Sequence, residues 1–501
     1  MNGAAYIMVV LGILLAKGIG FLRDMVFAWV FGATAYTDIY FQIFGLVNLI
    51  FTGIGVALST LIIKNLNKSE NSGEEKQRRY VSYFITRTTL IVAAVTCVLY
   101  AFARPITRLL LPGLDKGLYG TAVKLMYIML PSFLFVIIAY IISGVLQNKR
   151  VFFITSIMSL PFNVIIIASL FVKNIDIITV GIVTTIGWFL HIAIQLPSFY
   201  KKGYRLFGAV TDEFRSKGGN SEALYIFISN MMFQVCFLID KAFVSAENGA
   251  VTTINYASNL FITISSVFVV AMSNVVFPAI SKNYEEGNID YLRGLLQYII
   301  SIMFAIFLPF ILTVICFGES IIRLVYEHGE FTPQHTRITA LLFAIYTLGA
   351  LGYVCQELFN KILYLDSRYA CTVTGTLTVI GLKPLVNMFA VRHGGAVAVS
   401  AATTVLLTLY AVNVALTMKK VTGSYADRSL LSTLLRITLG GAAAAAVFAL
   451  FKIFAPRLTG GRITFVIPLL CCGAAYLAAL YLTGTIKYLL KKGAAERAEN
   501  Q

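Results

Sequence analysis

The chain has 501 residues, 58% hydrophobic and only 13% charged, with a mean hydropathy of +0.82 and a formal net charge of +17. Soluble domains are about 25% charged and about half apolar, so this composition excludes a soluble globular protein, a disordered chain and a disulfide-stapled secreted domain. What remains is an all-α polytopic membrane protein.

A helix crosses the roughly 30 Å hydrocarbon core with about 20 mostly apolar residues. Fourteen such runs follow one another, near 4–30, 38–63, 81–103, 122–146, 152–172, 176–200, 222–246, 251–281, 294–316, 337–363, 369–391, 394–418, 430–454 and 463–487. The first lacks a small-residue cleavage site and outruns a signal-peptide core, which makes it a retained helix. Two polar connections, 64–80 and 201–221, stand out. The second divides the chain into six helices (1–210), six more (211–420) and a final pair with a short tail (421–501). With the N-terminus inside, 23 Lys and Arg fall on the cytoplasmic side, among them Lys64, Lys68, Lys76, Arg78, Arg79, Lys149, Arg150, Arg215 and Lys217. The outer loops carry 9, such as Arg104, Arg108 and Lys116. That bias places both termini in the cytoplasm. Basic residues confined to short loops set topology and do not form a nucleic-acid surface.

A faint repeat supports two parallel lobes. Asp24 and Asp240 each precede a tyrosine by sixteen residues (Tyr40, Tyr256), with a Gly-Ala pair between (Gly32-Ala33, Gly249-Ala250). Two six-helix repeats suit an alternating-access carrier.

Eight basic residues lie inside the apolar runs: Lys17, Arg23, Arg87, Lys124, Lys241, Lys383, Arg436 and Lys452. Arg87, Lys124, Arg436 and Lys452 are near enough to segment ends to snorkel. A charge near mid-bilayer costs roughly 2.5–3.5 kcal/mol on insertion scales, so Lys17, Arg23 and Lys383 call for a wet cavity or a partner. Acids at similar depth are fewer: Asp24, Asp38, Asp240 and Glu357. Lys17 and Asp24 are seven apart and share a helix face. Arg23 points about 100° away from Asp24, so the two need not pair. Gly18 and Gly20 invite a bend that brings Lys17 and Arg23 to one cavity. Two readings follow, a cationic site for a phosphate or diphosphate, or intramembrane ion pairs that fix packing. Arg23 suits the first, Asp24 and Asp240 pairing or gating, and the surplus of cations favours an anionic cargo.

The seven cysteines all sit in apolar stretches without ligand spacing, which reads as free buried thiols with no metal. His191, beside Gln195, reads as a packed or snorkelling histidine, and His328 and His393 as loop residues. No Ser/His/Asp set, glycine-rich phosphate loop or paired acids support an enzyme.

Lys17-Gly18-Ile19-Gly20-Phe21-Leu22-Arg23-Asp24, then Phe31-Gly32-Ala33 and Thr37-Asp38, resembles the opening of the MurJ (MviN) lipid II flippases of the MOP superfamily. Pro131, Gly144-Val145-Leu146-Gln147-Asn148, Ile239-Asp240-Lys241, Asn255-Tyr256-Ala257, Phe277-Pro278, Tyr326-Glu327-His328-Gly329-Glu330-Phe331-Thr332 and Gly394-Gly395-Ala396 resemble later family segments in the right order. The resemblance implies fourteen helices, two six-helix lobes around a cationic cavity, and a groove for the lipid tail formed by the last two helices. It implies a bacterial cytoplasmic-membrane flippase, not an enzyme, that moves an undecaprenyl-diphosphate-linked disaccharide-pentapeptide outward by alternating access. Arg23, Asp24 and Asp38 then match cavity residues, and Lys17 stands where an arginine is usual. Two basic positions differ, since Asn48-Leu49 is followed by Ile50-Phe51-Thr52 and Tyr256-Ala257 by Ser258-Asn259. Lys241 and Lys383 are candidate substitutes. No cofactor is expected. Membrane potential, sodium and protons stay open as driving forces, with Asp24, Asp38 and Glu357 as candidate coupling residues. Partners on this reading are the lipid-linked saccharide, the bilayer and cell-wall synthesis proteins, with no nucleic acid. Export of another lipid-linked glycan or a small cation, and a non-transporting scaffold of envelope synthesis, are the alternatives.

Overall fold

The computed structural model describes residues 3–68, 73–209, 221–366 and 368–490. Arg215, Lys217 and the tail from 491 lie outside the described residues, as do the side chains of Phe51, Thr52, Phe277 and Pro278. The described segments are helices and short connections: α1 (Gly3–Phe31), α2 (Ala35–Ile50), α3 (Val56–Lys68), α4 (Glu74–Ala101), α5 (Ala103–Leu110), α6 (Tyr119–Met129), α7 (Ser132–Asn148), α8 (Phe152–Ser156), α9 (Leu160–Leu170), α10 (Ile177–Ala193), α11 (Leu196–Lys201), α12 (Ser221–Phe243), α13 (Ala250–Glu285), α14 (Ile289–Val325), α15 (Pro333–Leu348), α16 (Ala350–Leu365), α17 (Tyr369–Thr422), α18 (Arg428–Phe454), α19 (Pro456–Gly460) and α20 (Val466–Leu482). A π-helical turn, Phe51–Gly55, joins α2 to α3.

Every apolar run falls on helix. Among the described residues, eight helical stretches are long and apolar enough to cross a membrane, and nine if the α15–α16 pair, bent by 44°, counts as one span. The long α17 is two helices. Gly394 is extended and Gly395 has φ +51°, a region that glycine enters without steric cost, which separates the runs at 369–391 and 394–418.

Helix ends are set by short polar side chains that satisfy otherwise orphaned N–H groups. The Asp176 carboxylate accepts from the Thr179 N–H (2.8 Å), which holds its pKa below the usual carboxylate value. Asp427 does the same for Leu430 at 2.8 Å. Thr332 and His335 form a reciprocal cap with Pro333 at the first helical position of α15.

Packing divides the chain into two compact units. Unit 1 comprises Met1–Thr252 with Gly329–Phe331, and unit 2 comprises Thr253–His328 with Thr332–Gln501. In unit 1, Ile62 and Leu66 of α3, Val81 and Ile85 of α4, and Ile137, Ile141 and Val145 of α7 form a buried core. Gly144 permits the α3–α7 approach, since a Cβ there would stand 2.8 Å from the Ser59 carbonyl oxygen. In unit 2, α18 and α20 pack on α14 through Phe317, Ile437, Cys472, Tyr476 and Leu480. The Tyr476 hydroxyl donates to the Ala305 carbonyl at 2.7 Å. A cleft of about 50 Å³ lies between these three helices.

The cysteines correct one expectation. All seven are free, but Cys97, Cys371 and Cys471 are exposed, because the outer face of a membrane helix is as apolar as its inner one.

Candidate intramembrane charge cluster

The site begins on α1, which runs unbroken through Gly18 and Gly20. Gly20 faces Asn163 of α9, whose Nδ2 would stand in ordinary contact, 3.6 Å, with a Cβ at that position. Lys17 is half-buried two turns before Asp24.

Arg23 and Asp24 pair, which the helical angle alone left open. Nε and Nη2 of Arg23 both donate to Asp24 Oδ1, at 3.0 and 2.6 Å. The arginine stem is long enough to wrap back across the 100° that separates adjacent Cβ vectors. Its guanidinium also lies 5.4 Å from the Phe44 ring centroid and 5.7 Å from that of Phe162. The side chains of Arg23 and Asp24 are 13% and 9% exposed, so this is a nearly dehydrated ion pair with aromatic faces around it.

Lys241 and Asp240, both buried on the last turns of α12, join this group. The Lys241 ammonium interacts with the carboxylates of Asp240, Asp24 and Asp38. It reaches α2 at Gly45, where a Cβ would stand 3.7 Å from Nζ.

Asp38 has a role that sequence reasoning missed. One carboxylate oxygen accepts from the Gly249 N–H at 2.7 Å, and the other from the Thr252 N–H and hydroxyl at 2.8 and 2.6 Å. The carboxylate therefore caps the N-terminus of α13 from another helix, where exposed N–H groups and the helix dipole favour negative charge. Thr37 Oγ1 lies 2.8 Å from the Thr252 hydroxyl oxygen and shares its single hydrogen with Asp38. The signal was present in the Thr37-Asp38 and Gly249-Ala250-Val251-Thr252 segments, but nothing local says that they meet.

Within unit 1 the structure thus gathers Arg23, Asp24, Asp38, Asp240 and Lys241. Three carboxylates face two cations. The surplus of cations inferred from the sequence does not hold in this cluster. That surplus included the snorkelling residues Arg87, Lys124, Arg436 and Lys452, all four of which are exposed.

Lys383 and Glu357 belong to unit 2. Lys383 is fully buried and donates to Asn387 Oδ1 (2.9 Å) and to the Thr403 hydroxyl. Glu357 lies one turn from Lys361 on α16 and interacts with it. His191 is packed against Trp188 and Phe162, with ring centroids 4.9 and 5.4 Å apart. At one departure from the family pattern, Ser258 is buried and donates to the Asn255 carbonyl at 3.2 Å, and Asn259 is half-buried.

The repeat seen in sequence has a structural counterpart. Gly32 and Gly249 both have positive φ, +61° and +80°, and each precedes a helix that buries its tyrosine, Tyr40 or Tyr256. Gly32 also admits the segment Gly329–Phe331 into unit 1. The Glu330 N–H donates to the Trp29 carbonyl at 3.0 Å, and a Cβ on Gly32 would stand 2.3 Å from the Glu330 carbonyl oxygen.

Comparison with known proteins gives consistent results. The family model "Lipid II flippase MurJ" matches residues 27–467. A Burkholderia cenocepacia protein named "Lipid II flippase MurJ" is 24% identical over 400 residues, which covers 76% of this chain and 77% of that protein. A Buchnera aphidicola protein, "Probable lipid II flippase MurJ", is 24% identical over 397 residues, 76% of both chains. Among solved structures, "Lipid II flippase MurJ, inward closed conformation" superposes with a TM-score of 0.77 at 22% identity, covering 95% of this chain and 99% of that one. An inward-facing MATE multidrug transporter of the MOP superfamily gives 0.66 at 13% identity over 84% of this chain and 98% of that one. These matches agree with the all-α, multi-pass architecture and with transport in place of enzyme chemistry. The chain belongs to the MurJ family of lipid II flippases.

Proposed function

We propose that this protein carries lipid II, the undecaprenyl-diphosphate-linked peptidoglycan precursor, from the inner to the outer leaflet of the bacterial cytoplasmic membrane by alternating access, with both termini cytoplasmic. On this reading its two six-helix repeats are 1–210 and 211–420, followed by 421–501. Repeat and packing differ at α12, which opens the second repeat and packs within unit 1.

The carrying observation is the Arg23–Asp24 pair beside Lys241. A guanidinium held on one carboxylate oxygen beside two aromatic faces has the planar fork that phosphate recognition uses. Because the cluster holds three carboxylates beside its two cations, a diphosphate enters by displacing Asp24 from Arg23 or together with a compensating proton or cation. Exchange of partners on Arg23 is the proposed substrate step. The Asp38 clasp is the proposed conformational element, and Asp240 tunes Lys241. Lys383 and Glu357 are proposed to serve the same cargo and its coupling from unit 2.

The test is competition binding of purified protein with undecaprenyl-diphosphate-linked saccharide against bulk anionic lipid. Specific affinity that falls with Arg23→Ala supports the proposal, and affinity no higher than for bulk lipid refutes it. Small-cation export is a second reading, favoured by the three carboxylates of the cluster. Drug-resistance profiling of an overexpressing strain separates the two.

A further inference from the structure

The segment 102–124 links α4 to α6 at the end of α4 opposite the basic connection at 64–80. Its short helix α5 buries Ala103, Thr107 and Leu110 and exposes Arg104, Arg108 and Leu109. Arg104 and Arg108, four residues apart, share a face. Among the described residues neither guanidinium forms an ion pair. This runs against the topology rule, which keeps basic residues off that side.

Tyr119 ties the two arginines together. Its hydroxyl donates to the Arg104 carbonyl at 2.6 Å, and its ring centroid lies 5.4 Å from Arg108 Cζ. Around them is a cleft of about 540 Å³ lined by Arg104, Pro105, Arg108, Tyr119, Gly120 and Val123. Arg108 also borders a second cleft of about 530 Å³, whose other walls are Pro105, Leu109, Pro112, Ala242 and Phe243. One cleft is polar and cationic, its neighbour apolar, and Arg108 is shared. The segment is fixed in place, since Gln42 Nε2 donates to the Leu110 carbonyl at 2.7 Å and the Gly113 N–H to the Ser245 hydroxyl at 2.9 Å. Little ordering is left to oppose binding.

We propose that this segment binds an anionic glycerophospholipid of the leaflet it faces. The phosphodiester sits on Arg104 and Arg108, and an acyl chain runs along Leu109, Pro112 and Phe243. The adjoining apolar cleft selects a lipid over a free phosphate, and the unpaired guanidiniums select an anionic headgroup over a zwitterionic one. The site is independent of the flippase reading.

Native mass spectrometry of the full-length protein with phosphatidylglycerol tests it. Arg104→Gln/Arg108→Gln lowers phosphatidylglycerol affinity about thirtyfold, the scale of two interface charges, and leaves phosphatidylcholine of the same chains unchanged. Arg104→Lys/Arg108→Lys keeps most of the affinity, and Tyr119→Leu lowers it about threefold. Equal phosphatidylglycerol binding by wild type and the glutamine variant overturns the proposal. So does displacement by millimolar inorganic phosphate, which makes the cleft a free-anion site. A parallel loss of undecaprenyl diphosphate binding overturns it too, by assigning the cleft to the cargo.

Discussion

Removing the Asp38 carboxylate tests the clasp most sharply. Three donors converge on it, at 2.7, 2.8 and 2.6 Å, from Gly249 and Thr252. A hydrogen bond to a charged group contributes about 1.5–3 kcal/mol net, and a buried donor left without its acceptor costs about 1–3 kcal/mol. The bonds are not additive, because the freed helix end recovers part of the loss by rearranging. Asp38→Ala is therefore expected to cost about 3–5 kcal/mol, the scale for breaking a buried charged arrangement. Asp38→Asn keeps the shape and one acceptor oxygen but only neutral bonds, roughly half as strong, and should cost about 2 kcal/mol. Equilibrium unfolding in mixed micelles should rank wild type above Asp38→Asn and Asp38→Asn above Asp38→Ala. Thr252→Val removes the hydroxyl arm alone, and its combination with Asp38→Ala should show coupling of at least about 0.5 kcal/mol. Asp38→Ala within about 0.5 kcal/mol of wild type, or strict additivity with Thr252→Val, would refute the clasp.

Other outcomes follow from the same geometry. Arg23→Ala should abolish transport, and Arg23→Lys should not restore it, because an ammonium cannot reproduce the planar fork between Phe44 and Phe162; a fully active lysine variant would contradict this. Gly32→Ala forces a left-handed residue against the Glu330 carbonyl and should destabilise by about 2 kcal/mol or more, read by the same unfolding assay. Tyr476→Phe loses the bond to Ala305 and should cost about 0.5–1.5 kcal/mol. The Asp176 carboxylate, held below its ordinary pKa by Thr179, contributes stability above the unfolded value and loses it as pH falls through the folded one. The stability gap between wild type and Asp176→Ala should accordingly narrow in acid.

Much of the fold was legible because a bilayer makes the pattern simple. Apolar runs of membrane length became helices, and glycine pairs such as Gly394-Gly395 marked a true break. The site was legible in its residue types and less so in its pairings. Backbone angle left the pairing of Arg23 with Asp24 open, and side-chain reach decides it. The capping of α13 by Asp38 joins residues more than 200 positions apart. A count of cations over the whole chain does not distinguish a buried Lys241 from an exposed Lys452.

The central claim is that the Arg23–Lys241 cluster carries a polyprenyl diphosphate across the membrane. Complementation tests it directly: the lipid II flippase of a bacterial host is depleted, this protein is supplied, and growth and outward-facing lipid II are measured. The account predicts rescue by the wild-type chain and its loss with Arg23→Ala at equal expression. Failure of a well-expressed, inserted wild-type chain to restore either, or rescue untouched by Arg23→Ala, would contradict it.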